Sequence, residues 1–246
     1  MGLGSSILAT SAFAAGGADI ATAPHVQFGQ LQVGDVANDP SDGKCWSSYS
    51  NRRTEFWSFD VTSGDKVSVE WDVQNGNTDL LVYDVGTTDF TWAEADPVVA
   101  HQPFSNSKTG GKSHFEFSAA RSGVMPMAVC SFDYNAGPYS FTAYVKHDLV
   151  LSLQKKASVA RRGTMKVNVL NPDGGRIDDA SLTVALRVRS AGKSRFVGHG
   201  SVANGVANIR YRLPKALRGR RVSVSARATG ASYLTTTSSS FSSKVR

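Results

Sequence analysis

Residues 55–73, EFWSFDVTSGDKVSVEWDV, decide the fold. In 55–61, Trp57, Phe59 and Val61 share one face, while Ser58 and Asp60 share the other. After the turn residues TSGD, Val67, Val69, Trp71 and Val73 alternate with Ser68, Glu70 and Asp72. A period of two on both sides of a Gly/Asp turn predicts a hairpin with one buried face. Outward from it, DLLVYDV (79–85), HFEF (114–117), MPMAVC (125–130) and YSFTAYV (139–145) supply further strands. No window keeps apolar residues at helical spacing beyond about two turns, so helix is a minor component. Half-buried strands separated by Gly-rich turns predict a sandwich.

The same reading continues through LVLSL (149–153), TMKVNVL (164–170), SLTVALRVR (181–189), GVANIRYRL (205–213) and RVSVSARATG (221–230). Leu182, Val184, Leu186 and Val188 alternate with Thr183, Ala185 and Arg187. Ala207, Ile209 and Tyr211 alternate with Asn208, Arg210 and Arg212. About seven short strands in about a hundred residues is the count of an immunoglobulin-type sandwich. A length of 246 residues accommodates two domains, each with its own core. The expectation is an all-β chain of two tandem β-sandwiches, the first jelly-roll-like (24–147) and the second immunoglobulin-like (148–246).

Charge divides the chain near 146–149. Residues 1–147 carry 8 basic and 16 acidic side chains, net −8, whereas 148–246 carry 19 basic and 4 acidic, net +15. The formal +7 is the difference between two oppositely charged modules. Ahead of them, residues 1–23 are small and apolar, with Ala-x-Ala patterns at Ala12 to Ala14 and Ala21 to Ala23. They read as a signal or leader segment that lacks a basic n-region, with a flexible Ala/Gly tail as the alternative. No later stretch reaches the length of a membrane-spanning helix. Secretion or cell-surface location is the expectation. Cys45 and Cys130, the only cysteines, fall in the same half. A bridge between them would close a loop of about 85 residues and stabilise the fold by roughly 4–5 kcal/mol on the loop-entropy model; two buried free thiols are the alternative.

On Trp57 and Phe59, Val67 and Val69, Asp79 to Asp84, and Gly137 to Phe141, residues 25–146 resemble the bacterial pre-peptidase C-terminal domain. That resemblance implies an appendage of secreted hydrolases with roles in secretion, folding or matrix binding, although no peptidase domain accompanies it here. It also directs attention to Asp72, Asn75, Asn77, Asp79 and Asp84, since some relatives bind Ca²⁺. The alternative is Asx side chains that cap turns. Residues 149–246 resemble the Ig-like repeats of actinobacterial surface proteins, with Gly163 before Met165 to Val169, Gly205 before Ala207, and Gly230 before Tyr233 and Leu234. This implies a spacer or adhesive module. Its strong basic charge departs from such repeats.

Two surfaces are candidates for binding. Trp46, Tyr49, Phe90 and Trp92 lie in loop-like sequence, where aromatic rings could stack on a sugar or anchor a protein, or else close the ends of the sandwich. Arg187 and Arg189 share one strand face, Arg210 and Arg212 another, and Arg218, Arg220 and Arg221 cluster in a turn. Together they suit polyanions such as teichoic acid, acidic polysaccharide, phospholipid or extracellular DNA. Attraction to the acidic first half and plain solubility are the alternatives. Dedicated nucleic-acid recognition has no support, for no helix-turn-helix, zinc-finger or RNP-like pattern occurs.

Catalysis needs groups that the sequence does not assemble. His25, His101, His114, His147 and His199 are scattered outside known frames. A jelly roll can carry a glycosidase-like cleft, and Glu55, Glu70, Glu94 and Glu116 could face one another in space, but the sequence alone gives no pairing. The expectation is therefore a secreted non-catalytic binding or adhesion protein that contacts a cell-envelope polyanion, a polysaccharide or an extracellular protein. A structural spacer is the alternative, and a glycan hydrolase ranks behind both.

Overall fold

The computed structural model describes residues 16–17, 19–36, 53–74, 78–88, 98–102, 111–131 and 137–246, the side chains of 98–102 excepted. Apart from short 3-10 turns, every regular element among them is a β-strand. No helix among them is long and apolar enough to cross a membrane. The chain divides into two compact units. The first comprises residues up to Asp60, Val69–Phe115 and Val124–Ala143; the second comprises Val61–Ser68, Glu116–Gly123 and Tyr144–Arg246.

Eight strands build the first sandwich: β1 (Leu31–Asp35), β2 (Thr54–Val61), β3 (Lys66–Val73), β4 (Thr78–Tyr83), β5 (Val98–Gln102), β6 (Gly111–Ser118), β7 (Gly123–Ser131) and β8 (Pro138–Lys146). They form two four-stranded sheets, ordered β1-β8-β3-β6 and β2-β7-β4-β5. Each sheet interleaves early and late strands of the segment, which is the wrapping of a jelly roll. β3 alternates as read, with Val67, Val69, Trp71 and Val73 buried.

β2 departs from simple alternation. Thr54 to Phe59 are all buried, including Ser58 at 2% exposure, which the sequence pattern places outward. The cause is the N-terminal segment, which covers the second face of this strand. Gly17 and Phe56 exchange backbone hydrogen bonds of 2.8 and 2.9 Å, and Ser58 accepts from Val26 N–H at 2.8 Å. Ile20 and Ala23 pack on a cluster of Phe56, Leu81, Tyr83, Ala128 and Cys130. Residues within the stretch read as a leader therefore cover core side chains.

A buried polar chain links the two sheets. Trp57 Nε1 on β2 donates to the Tyr139 hydroxyl on β8 at 2.7 Å, and that hydroxyl donates to the Glu55 carboxylate. Trp71 stacks on Tyr139, and Trp57 meets Phe141 edge-on, both with centroids 5.2 Å apart. The backbone of β1 closes over this layer at Gly34. A Cβ there would stand 2.3 Å from the Tyr139 hydroxyl, so only glycine fits.

Cys45, one end of the expected Cys45–Cys130 bridge, lies outside the described residues. Cys130 is not a free thiol; it sits on β7 with no exposed surface, in register with Asp79 of β4. What the described structure supplies to hold this region is the packing and the inter-sheet hydrogen bonds.

Nine further strands build the second sandwich: β9 (Val150–Leu153), β10 (Ser158–Val159), β11 (Arg162–Leu170), β12 (Thr183–Ser190), β13 (Lys193–Ala203), β14 (Val206–Arg212), β15 (Arg221–Gly230), β16 (Tyr233–Thr237) and β17 (Phe241–Val245). Their order is β10-β17-β15-β12-β13-β14-β11-β9, with β16 beside β15. Only β10 and β17 pair in parallel. The long β13 pairs with β12 along most of its length and with β14 at its far end, so it belongs to both faces of an immunoglobulin-type sandwich. Between them lies a core that includes Met165, Val167, Leu182, Val184, Leu186, Ile209, Val222 and Val224. Where β13 passes β14, a Cβ on Gly198 would stand 2.3 Å from the Arg210 carbonyl oxygen.

Two outcomes follow from this packing. A chain beginning at Pro24 loses on the order of 1–2 kcal/mol in urea titration and binds an apolar dye at the uncovered cluster. Gly198→Ala lowers the denaturation midpoint of the second sandwich, with a cost of roughly 1–3 kcal/mol from overpacking.

Candidate functional site

The strand pattern dictates where the charges of 148–246 go. Alternation buries the aliphatic positions of each strand and leaves the intervening ones to solvent, and these carry Arg, Lys, Ser, Thr and Asn. No acidic residue occurs on any strand from β9 to β17. Arg187 and Arg189 of β12 stand opposite Ser225 and Ser223 of β15. Arg210 and Arg212 of β14 stand opposite Thr164 and Arg162 of β11. The two pairs named from sequence thus lie on opposite faces of the sandwich. Arg218, Arg220 and Arg221 are exposed around the 3-10 turn Lys215–Leu217 that leads into β15.

The register adds partners that periodicity alone does not show. Arg162 faces Arg212 directly, and Arg221 faces Lys244 of β17. Like charges placed opposite each other across a sheet destabilise it. Among the described residues, none of the 19 Lys and Arg of 148–246 forms a salt bridge. The Nε atoms of Arg161 and Arg187 are buried without a hydrogen-bond partner.

The four acids of this segment are engaged elsewhere. Asp148 accepts from Leu149 N–H at 2.7 Å, Asp178 from Asn204 N–H at 2.8 Å, and Asp179 from Ser181 N–H at 2.8 Å; Asp173 accepts from the Ser122 hydroxyl. Hydrogen bonds from Ser181 and then Tyr233 hold the Asp179 carboxyl below its ordinary range. Burial, and then the bond to Asp179, push Tyr233 up to about 12. Each carboxylate accepts from a hydroxyl or a backbone N–H, and none neutralises a Lys or Arg.

Strand direction then gathers most of the cations toward one end and the acids at the other. β11 starts at Arg162, β14 ends at Arg212, β15 starts at Arg221 and β17 ends near Lys244. β12 arrives at the same end with Arg189 and turns into β13 at Lys193. Backbone bonds from Gly219 to Val245, from Val245 to Arg220 and from Arg246 to Val159 join these strand ends. The acids Asp173, Asp178 and Asp179 occupy the β11–β12 connection at the other end, with Arg176 as its one cation, and Asp178 holds the β13–β14 turn there through Asn204.

His147 marks that acidic end of the second unit. Its Nδ1 lies 3.0 Å from Oδ2 of Asp65, a carboxylate with 1% of its side chain exposed. Its backbone donates to Ser232 O and accepts from Leu234 N, both at 2.9 Å, and its ring packs 5.8 Å from that of Tyr233. The hydrogen bond to Asp65, opposed by burial and aided by the carboxylate charge, raises the His147 pKa above its ordinary value.

The remaining sequence candidates disperse. Trp46, Tyr49, Asn75, Asn77, Phe90, Trp92 and Glu94 lie outside the described residues, as does the side chain of His101. Asp72 lies on the outer face of β3, 3.6 Å from Lys112. Asp79 is buried on β4, while Asp84 binds Val85 N–H at 2.7 Å beyond the end of that strand. Five residues of extended chain between Asp79 and Asp84 amount to about 17 Å, so these two do not converge. No cluster of three metal-ligating side chains occurs among the described residues. Glu55 is buried with Tyr139, whereas Glu70 is exposed and lines an open groove of about 510 Å³ with Leu31, Asp72, Lys112, His114 and Ser140. Glu116 pairs with Lys66 within the second unit, His25 with Asp60 at 2.7 Å within the first, and His199 stacks on Phe196.

No protein-family model and no curated protein matches the chain. Among solved structures, it is similar to the pre-peptidase C-terminal domain of a collagenase from Bacillus anthracis, with 14% identity over 49% of this chain and 92% of that one, and a TM-score of 0.30. It is also similar to the chicken interferon gamma receptor alpha chain, with 11% identity over 78% of this chain and 90% of that one, TM-score 0.28. A third is the FN1-FN3 segment of chicken CNTN1, with 10% identity over 70% and 56%, TM-score 0.26. These are weak likenesses of β-sandwich and Ig-like type and carry no functional argument. The class that the fold itself defines is a tandem β-sandwich protein whose second module is basic.

The raised His147 pKa fixes the sign of a pH effect. Protonated His147 stabilises the fold below about pH 6.5, its ordinary value, and this contribution is lost as pH rises through the higher folded value. Thermal midpoints measured from acidic to alkaline buffer should therefore fall more steeply for the wild type than for His147→Asn. Equal slopes would show that the Asp65 contact contributes nothing.

Proposed function

We propose that this chain is a secreted, non-catalytic binding protein whose second module attaches it to a cell-envelope polyanion. On this reading the first module is of the pre-peptidase C-terminal type and the second is a bacterial Ig-like domain. The supporting observation is a set of 19 cations with no salt bridge among the described residues, on strands without a single acid. A fold selected only for solubility has no need to oppose Arg162 to Arg212 and Arg221 to Lys244, since scattered charges of mixed sign serve as well.

Affinity from such a surface comes from release of counterions and falls steeply with salt. The full chain should be retained at about 50 mM NaCl on immobilised anionic cell-wall polymer or acidic polysaccharide, and should elute well before about 1 M. Retention that survives about 1 M salt would contradict an electrostatic attachment. Passage through every anionic matrix at low salt would sink the reading itself.

A further inference from the structure

We propose that the attachment site is one end of the second sandwich, not the middle of either sheet face, and that its ligand is a linear polyanion whose negative groups are phosphates; this rests on the reading above. The strand ends gather Arg162, Arg212, Arg218, Arg220, Arg221 and Lys244 at one place, all exposed. Along the middle of the sheet faces no cation stands directly opposite another. Arg187 stands between Ser225 and Phe196, Arg189 between Ser223 and Ser194, Arg210 opposite Thr164, Lys166 opposite Asn208, and Arg227 between Ala185 and Thr237. A chain arriving at the end meets two pairs of cations, each directly opposed across a strand pair, with Cβ atoms about 4.5–5.5 Å apart.

That spacing selects the ligand. Two cations held this close are relieved by negative charges of similar density. Successive phosphates of a polyphosphate supply that density, with several oxygens on each group to accept from guanidinium forks. A polymer with one carboxylate per sugar ring spreads its charge further apart, and one with a carboxylate per residue turns alternate groups to opposite sides of an extended chain. The site is also open in the electrostatic sense, since the acids of the β11–β12 connection stand at the opposite end and are already hydrogen-bonded.

The test measures binding of the full chain to end-labelled inorganic polyphosphate of about 45 phosphates by fluorescence anisotropy, at several salt concentrations. Two variants of equal charge change are compared, R218S/R220S/R221S at the end and K166S/R187S/R227S on the faces. The end variant should weaken binding at least about tenfold and reduce the salt slope by about 2–3, while the face variant should stay within about threefold. A further double variant, R162S/K244S, removes both like-charge oppositions. It should raise the thermal midpoint while weakening binding, a pair of opposite signs that simple misfolding cannot give.

Equal losses in the two triple variants, or a greater loss in the face variant, would overturn the location while leaving polyanion attachment intact. Polyglutamate that binds as tightly as polyphosphate at matched charge would overturn the preference for phosphate. No binding of wild type to polyphosphate, polyglutamate or heparin would overturn the attachment reading as well.

Discussion

The second sandwich is held together by its apolar core against the repulsion of its own surface. Fully burying a Val or Leu side chain contributes roughly 1.5–3 kcal/mol, whereas an exposed like-charge pair across a sheet costs a few tenths to about 1 kcal/mol. The aliphatic layer of β11, β12, β14 and β15 therefore outweighs the oppositions at Arg162 and Arg221. The surplus lets the exposed positions serve something other than stability. It also explains why the acids can all be used as acceptors for uncharged donors instead of being spread among the cations.

The first sandwich is fixed differently. Trp57, Tyr139 and Glu55 form a hydrogen-bonded chain across its two sheets, inside a layer of stacked rings. A buried polar chain of this kind is costly if any member is lost, because the remaining donors and acceptors have no water to turn to. It sets the register of β2 against β8 and needs Gly34 on β1 to close over it. The N-terminal segment then seals the far side of β2.

Much of this fold was legible in the sequence, for physical reasons. A period of two survives wherever a strand has one wet face, so β3, β8, β11, β12, β14 and β15 could be read directly. Ser58 could not, because its second covering comes from a segment that resembles a leader, and no local pattern announces a distant cover. Of the candidate site, charge and face were visible at Arg187, Arg189, Arg210 and Arg212. The opposition of Arg162 to Arg212 was not, since cross-strand register depends on how non-adjacent strands pair. Glu55 looked like any carboxylate on a strand; the approach of Tyr139 from the other sheet shows only in the fold.

The separation of sign along the second sandwich has a consequence for the approach to a partner. A body with positive charge at one end and negative charge at the other experiences a torque in the field of an anionic surface, over about 8 Å at physiological salt. It is turned before contact, with its Arg-bearing end leading. The entropy of orientation is then lost gradually during the approach, which favours fast capture by a surface that presents little detail to recognise.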